Sequence, residues 1–506
     1  MTAGSPLSSG RDAISPNDYS LPFTEPHTTT LLIVGSFLYL LNVIHELFQF
    51  LFGAGLVGQL VLGAIYCVPL GNILPFDIQT SIGTIGYLGL VLLIVEGGLD
   101  ARLDILTERK NLTICILVTL SGIGLPIAFS ILVLHFGYQY SILESFVVGA
   151  ALSATSLGTT FAIMSSFRFP TPTSVSRPNP IDIGPIEPSS ASKGQSNLAE
   201  TRAGTILMGA ALLDDIIGLV ISSVVANLGP TSTESHISGW TIARPIVSST
   251  LVLSVTTVLA RYISPLLMTL IISSLPRDLL NRKWAHQLPN LGLLSFILVV
   301  SAYVTIAHYI GSSMLIGAFC AGSLMSHVWK IIRARAESDA FIHWSPHTSF
   351  ERIAPVQNCI LAPFFFASIG AAIPVRSLFQ TTTAWRGILY SALMIIAKIL
   401  AGGWLPIWGI LGTWFRPSHP AHTAAPSWPA GLFVGLALVT RGEIGLLILN
   451  IAQVEGLLRE ESFGTAANSN SRPCNRGFVG GSRNLICHVL HYNRFELAGI
   501  IQFISL

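Results

Sequence analysis

Leu212-Leu213-Asp214-Asp215-Ile216-Ile217-Gly218-Leu219-Val220 places two adjacent carboxylates in the middle of an apolar run from Ala203 to Leu228. As a helix, a run of that length crosses a hydrocarbon core of about 30 Å. A single Asp near the centre of such a helix costs roughly 2.5–3.5 kcal/mol on insertion scales. Two of them cannot face lipid, so the stretch predicts a membrane helix whose acids face protein, a cation or a water-filled cavity. Ionisable groups at this depth mark transport pathways and proton relays. The structural alternative is a pair of protonated, merely hydrogen-bonded aspartates.

The rest of the chain agrees on the class. Hydrophobic residues make up 51% and charged ones 10% of the 506 residues, with mean hydropathy +0.65. Soluble domains carry roughly 25% charge. The expectation is an all-α, multi-pass integral membrane protein of the plasma membrane or an endomembrane, with the lipid bilayer as its solvent. A formal charge of +2 without basic blocks gives no footprint for nucleic acid. The six cysteines are scattered, with no metal-site or disulfide spacing. Neither a cofactor nor an enzymatic activity is expected. Residues 1–28 are polar and proline-containing, without the pattern of a cleavable signal, and read as a disordered extracytoplasmic tail.

Twelve apolar spans follow, at 29–51, 55–74, 81–99, 112–136, 143–166, 203–228, 245–275, 288–306, 309–329, 356–378, 385–413 and 428–453. Fifteen Lys and Arg lie in the odd-numbered loops, against four in the N-terminal tail and the even loops. The odd loops are therefore expected on the cytoplasmic side and the N-terminus outside. Residues 167–200, with six prolines and many serines, read as a disordered cytoplasmic insertion into the 29–453 membrane domain. Residues 454–506 form a polar tail with no clean span.

Three further features carry chemistry. Lys398, in Met394-Ile395-Ile396-Ala397-Lys398-Ile399-Leu400, is a lone cation near the middle of the eleventh span, with Asp214 or Asp215 as its natural partner. Snorkelling is its alternative. The twelfth span holds Val439-Thr440-Arg441-Gly442-Glu443-Ile444-Gly445, where the glycines and charges predict a break. The fifth holds Ser153-Ala154-Thr155-Ser156-Leu157-Gly158, a small and hydroxyl-bearing stretch that fits either a break or tight packing. Interrupted helices in corresponding positions of two halves point to a transporter's midplane site. Spans 5 and 12 correspond if spans 1–6 repeat as 8–13.

These stretches jointly resemble the cation:proton antiporter superfamily, in its second branch of sodium/hydrogen exchangers. The paired acids match its acidic motif, and Gly58-Gln59-Leu60 with Gly63 its second-span signature. Gly317-Ala318-Phe319-Cys320-Ala321-Gly322, Phe364-Phe365-Phe366-Ala367-Ser368-Ile369-Gly370 and Thr440-Arg441-Gly442-Glu443 match three more, the last with Thr where Pro is usual. The resemblance implies thirteen spans, inverted repeats with two broken crossing helices, and a homodimer. It implies exchange of Na⁺, K⁺ or Li⁺ for H⁺, with Na⁺ favoured over K⁺. Asp215 would bind the transported cation, the only metal implied, and the proton. Asp214 would pair with Lys398, Thr155 and Ser156 would line the crossing, and Glu443 and Arg441 would support the second break.

One departure stands out. After Glu455 the family continues into a thirteenth span, whereas Phe463–Arg483 cannot cross a membrane. A transport-inactive truncated paralogue or regulator is therefore one rival reading and an uncoupled cation channel another. An intramembrane aspartyl protease is a third, disfavoured because both acids sit on one helix, about 100° apart.

Overall fold

Within hydrocarbon every backbone N–H and C=O must bond inside the chain, so long apolar runs fold as helices. The computed structural model describes residues 25–52, 55–101, 109–155, 168–170, 195–197, 202–228, 239–265, 288–335, 345–373, 375, 381–415, 428–440 and 443–458. Among these, nine helices are long and apolar enough to span a membrane, and four shorter apolar ones accompany them. The first half holds α1 (Thr28–Phe52), α2 (Gly55–Tyr66), α3 (Phe76–Asp100), α4 (Arg109–Ser130), α5 (Ile142–Ser153) and α6 (Arg202–Leu228). The second holds α7 (Gly239–Val258), α8 (Leu288–Ile310), α9 (Met314–Arg335), α10 (Pro346–Val356) and α11 (Ala362–Ala372). It continues with α12 (Thr381–Gly402), α13 (Trp404–Phe415), α14 (Trp428–Ala437) and α15 (Glu443–Val454). Each expected span overlaps at least one of these helices; the second and fifth are represented by the short α2 and α5, the eleventh is split between α12 and α13, and the twelfth between α14 and α15.

The all-α expectation has one small exception. Arg168–Pro170 (β1) and Gln195–Asn197 (β2) pair antiparallel, with Phe169 opposite Ser196. They draw together the two ends of the insertion that composition reads as disordered. Residues 171–194 and the tail from residue 459 lie outside the described residues.

The packing carries the signature of an inverted repeat. α1 packs on α2 as α8 packs on α9, α3 on α9 as α11 on α2, and α4 on α5 as α12 on α14. Two pairs join a helix to its own counterpart: α3 to α11 and α4 to α12. The α3–α11 pair is antiparallel, since Gly86 meets Phe365 while Gly89 meets Leu361. Opposed direction between counterparts is what a two-fold axis in the membrane plane produces. The counterpart of α6 would fall beyond Leu458, outside the described residues.

Two groups of helices emerge. α1, α2, α3, α8, α9 and α11 form one, and α4, α5, α6, α12, α14 and α15 the other, with α7 touching both α6 and α9. In each group the tightest seams are lined with glycine. A Cβ on Gly370 would lie 2.0 Å from the Leu60 carbonyl oxygen, and one on Gly63 2.2 Å from that of Ala367. In the other group, Gly402 approaches the Gly431 carbonyl, and Gly435 approaches the backbone of Ile399 and Lys398. Small residues drive such packing because lipid tails give apolar helices no reason to prefer one another. Overpacking a fitted interface costs about 1–3 kcal/mol. Gly370→Ala is therefore expected to lower the unfolding temperature in detergent. Gly83→Ala, whose added methyl meets nothing within 4 Å, should stay close to the parent.

Candidate functional site

The site is built where two helices stop. Ser141 caps α5 by accepting from the Glu144 N–H (3.1 Å), and the helix runs to Ser153 before the backbone turns extended at Ala154 (φ −61°, ψ 133°). Ser153 Oγ donates back to the Ala150 carbonyl (2.7 Å), taking up one acceptor at the helix end. α14 stops at Ala437, whose carbonyl accepts from the Thr440 hydroxyl (2.8 Å), and α15 starts at Glu443. Thr440, the departure from the family's proline, thus supplies a cap that proline cannot. α15 packs on both α5 and α6, so the interrupted helices lie beside the acidic helix. The C-terminal ends of α5 and α14 bring partial negative charge to their breaks, which favours a cation.

The break in α5 determines what the acids touch. Released from helical bonding, the Thr155 N–H donates to Asp214 Oδ2 at 2.8 Å. Lys398 Nζ donates to Thr155 Oγ1 at 2.9 Å and reaches Asp214 Oδ2 at 3.5 Å. The Lys398 and Asp214 side chains are 1% and 3% exposed, so Lys398 does not snorkel. Thr155 therefore holds both charged groups, one through its backbone and one through its hydroxyl. Asp214 Oδ1 is buried and unbonded among the described residues, an acceptor still open to a proton or a cation.

Asp215 is half-buried and lies on a different stripe of α6. Asp214 continues the line of Ile206 and Ala210, whose carbonyls accept from Cys115 Sγ and Thr119 Oγ1 of α4. Gly218, the next position on that line, faces Ile444 at the start of α15. The line through Asp214 thus runs from α4 to the start of α15, and Asp215 lies about 100° around the helix from it. Ser156, Gly442 and Arg441 lie outside the described residues, as does the side chain of Glu443.

One contributor is absent from the candidates that the sequence supplied. Gly122 of α4 sits against Lys398: an added Cβ would lie 3.8 Å from Nζ and 3.8 Å from the Ala401 side chain. Pro126, inside the same helix, has no N–H to bond the Gly122 carbonyl four residues earlier. A glycine followed four residues later by proline in an apolar span was the available signal.

The transmembrane model of the sodium/hydrogen exchanger family matches residues 30–467. The chain belongs to the sodium/hydrogen exchanger family. The high-affinity Na(+)/H(+) antiporter NhaS3 of Synechocystis sp. is 24% identical to this exchanger-family chain over 407 residues, covering 80% of this chain and 71% of the relative. The Na(+)/H(+) antiporter of Enterococcus hirae is 24% identical over 411 residues, covering 81% and 83%. The sodium proton antiporter MjNhaP1 of Methanocaldococcus jannaschii shares the exchanger fold, with a TM-score of 0.51 at 15% identity over 94% of this chain and 97% of that one.

Two outcomes follow for this exchanger site. Removing one partner of a buried ion pair costs about 3–5 kcal/mol, because the other charge stays buried. Lys398→Met should therefore lower thermal stability in detergent, and adding Asp214→Asn should restore most of it. Gly122→Ala, which makes ordinary contacts, should retain wild-type stability, whereas Gly122→Leu should displace the ammonium and mimic Lys398→Met.

Proposed function

We propose that the chain is a secondary transporter that exchanges a monovalent cation for protons, with Na⁺ favoured over K⁺. One observation carries the reading: a buried Lys398 shared between Thr155 and Asp214 beside two interrupted helices, with a second acid at the next position. The relatives named as Na(+)/H(+) antiporters support Na⁺ as the cargo.

In this mechanism Asp215 takes either a proton or a dehydrated cation, never both, and that competition couples the two flows. Asp214 holds Lys398 while deprotonated and releases it on protonation, the open Oδ1 receiving the proton. Thr155 and Ser156 supply oxygens at the first break, and Glu443 and Arg441 steady the second. Loading neutralises the site enough for the α4–α6, α12, α14 and α15 group to move past the other group, which gives alternating access. No bond of a substrate is made or broken.

The test is proton flux in proteoliposomes under an imposed pH gradient, with Na⁺, Li⁺ and K⁺ added in turn. Cation-dependent collapse of the gradient is expected, strongest with Na⁺, and Asp215→Asn should reduce it to the level of empty vesicles. Cation flux that leaves the gradient untouched would instead identify an uncoupled channel.

A further inference from the structure

Two turns along from the ion pair, the α4–α12 interface contains a second polar level. Gly122 lies opposite Lys398, and eight residues further along α4, Ser130 faces Tyr390, eight residues back along the antiparallel α12. Both side chains are sealed from the surface, Ser130 at 0% and Tyr390 at 1% exposure. The two hydroxyls approach one another, yet among the described residues neither buried oxygen reaches hydrogen-bond geometry with any partner. Ser130 is also wedged against Gly149 of α5, where an added Cβ would lie 2.5 Å from its Oγ. It therefore has little freedom to turn elsewhere.

Beyond this level α12 is fixed again. Arg386 Nη1 donates to the Tyr140 hydroxyl (2.9 Å), and its guanidinium lies 4.7 Å over the Tyr138 ring. Among the described residues, the charged and titratable groups along the column include Arg386 with Tyr138 and Tyr140, near Glu144 in the first turn of α5, at one end and Lys398 with Asp214 at the other. Tyr390 stands between, about 12 Å along the helix from Lys398 at 1.5 Å per residue.

Buried polar atoms without a protein partner are rare, and where two converge in a closed interior the usual third party is an ordered water. We propose that Ser130 and Tyr390 hold one buried water molecule that fixes the height of α12 against α4, and with it the reach of Lys398 to Asp214. Both are positioning residues. The functional part of this inference rests on the exchange reading above; the water site does not.

The experiment pairs a high-resolution cryo-EM structure of the full chain with exchange assays on Tyr390→Phe, Ser130→Ala and the double variant. Density within hydrogen-bonding distance of both hydroxyls is expected in the parent and lost in either variant. The pH optimum of exchange should move by about half a unit or more, the size of one lost neutral hydrogen bond. The double variant should match the singles, because all three lose the same water. Half-saturation by Na⁺ should stay within about two-fold, since uniform cation binding is untouched. Parent density without a bridging water, unmoved pH profiles, or shifts that add in the double variant would each overturn the proposal. A parent with no cation-dependent proton flux would overturn the exchange reading instead, and the density would still decide the water site.

Discussion

A lysine ammonium sealed inside a bundle of apolar helices is tolerable only if the surroundings replace its water. Here the replacement is a threonine at the end of a broken helix and an aspartate on the next helix. Breaking α5 exposes a backbone N–H to fix the aspartate and places a hydroxyl to receive the lysine. An unbroken helix would have consumed that N–H in its own ladder. The interruption, the acid and the lysine are thus one device, and replacing any of them leaves a buried group without its partner.

The glycine seams make that device possible at a distance. α12 must approach α14 closely enough to present Lys398 at the breaks, and Gly402, Gly431 and Gly435 let the backbones meet. The same solution recurs in the other group of helices, at Gly63, Gly86, Gly89 and Gly370. Each group is consequently packed backbone to backbone, which suits two bodies that shift against one another and hold their own shape.

What could be read from the sequence followed from cost. Asp214, Asp215 and Lys398 declare themselves because charge in hydrocarbon is expensive, and so does the second break, where glycines and charges sit mid-span; the small residues around Ala154 fitted a break or tight packing equally. The helices of the fold were legible for the same reason. What stayed hidden depends on where backbone atoms land after the chain folds. Thr155 as a partner of Lys398 follows from the φ and ψ of Ala154, which no residue spacing reports. Gly122 looks like any packing glycine until α12 is laid beside it. Ser130 and Tyr390 are unremarkable in apolar runs, since a serine can bond back to its own helix and a tyrosine can reach a helix end or interface; their pairing appears only once the α4–α12 register is known. The departure at Thr440, which counts against a family motif on paper, proves to be a capped helix end.

The short strand pair at the neck of the insertion has a practical side. By setting Arg168 opposite Asn197, it fixes the distance that the intervening residues must bridge, whatever their number. Lengthening a closed loop is inexpensive, about 0.6 kcal/mol for each doubling. The segment between the strands can therefore evolve or be engineered almost independently of the bundle, and it is the natural place to splice an affinity handle or a fluorescent reporter into this transporter without touching its helices.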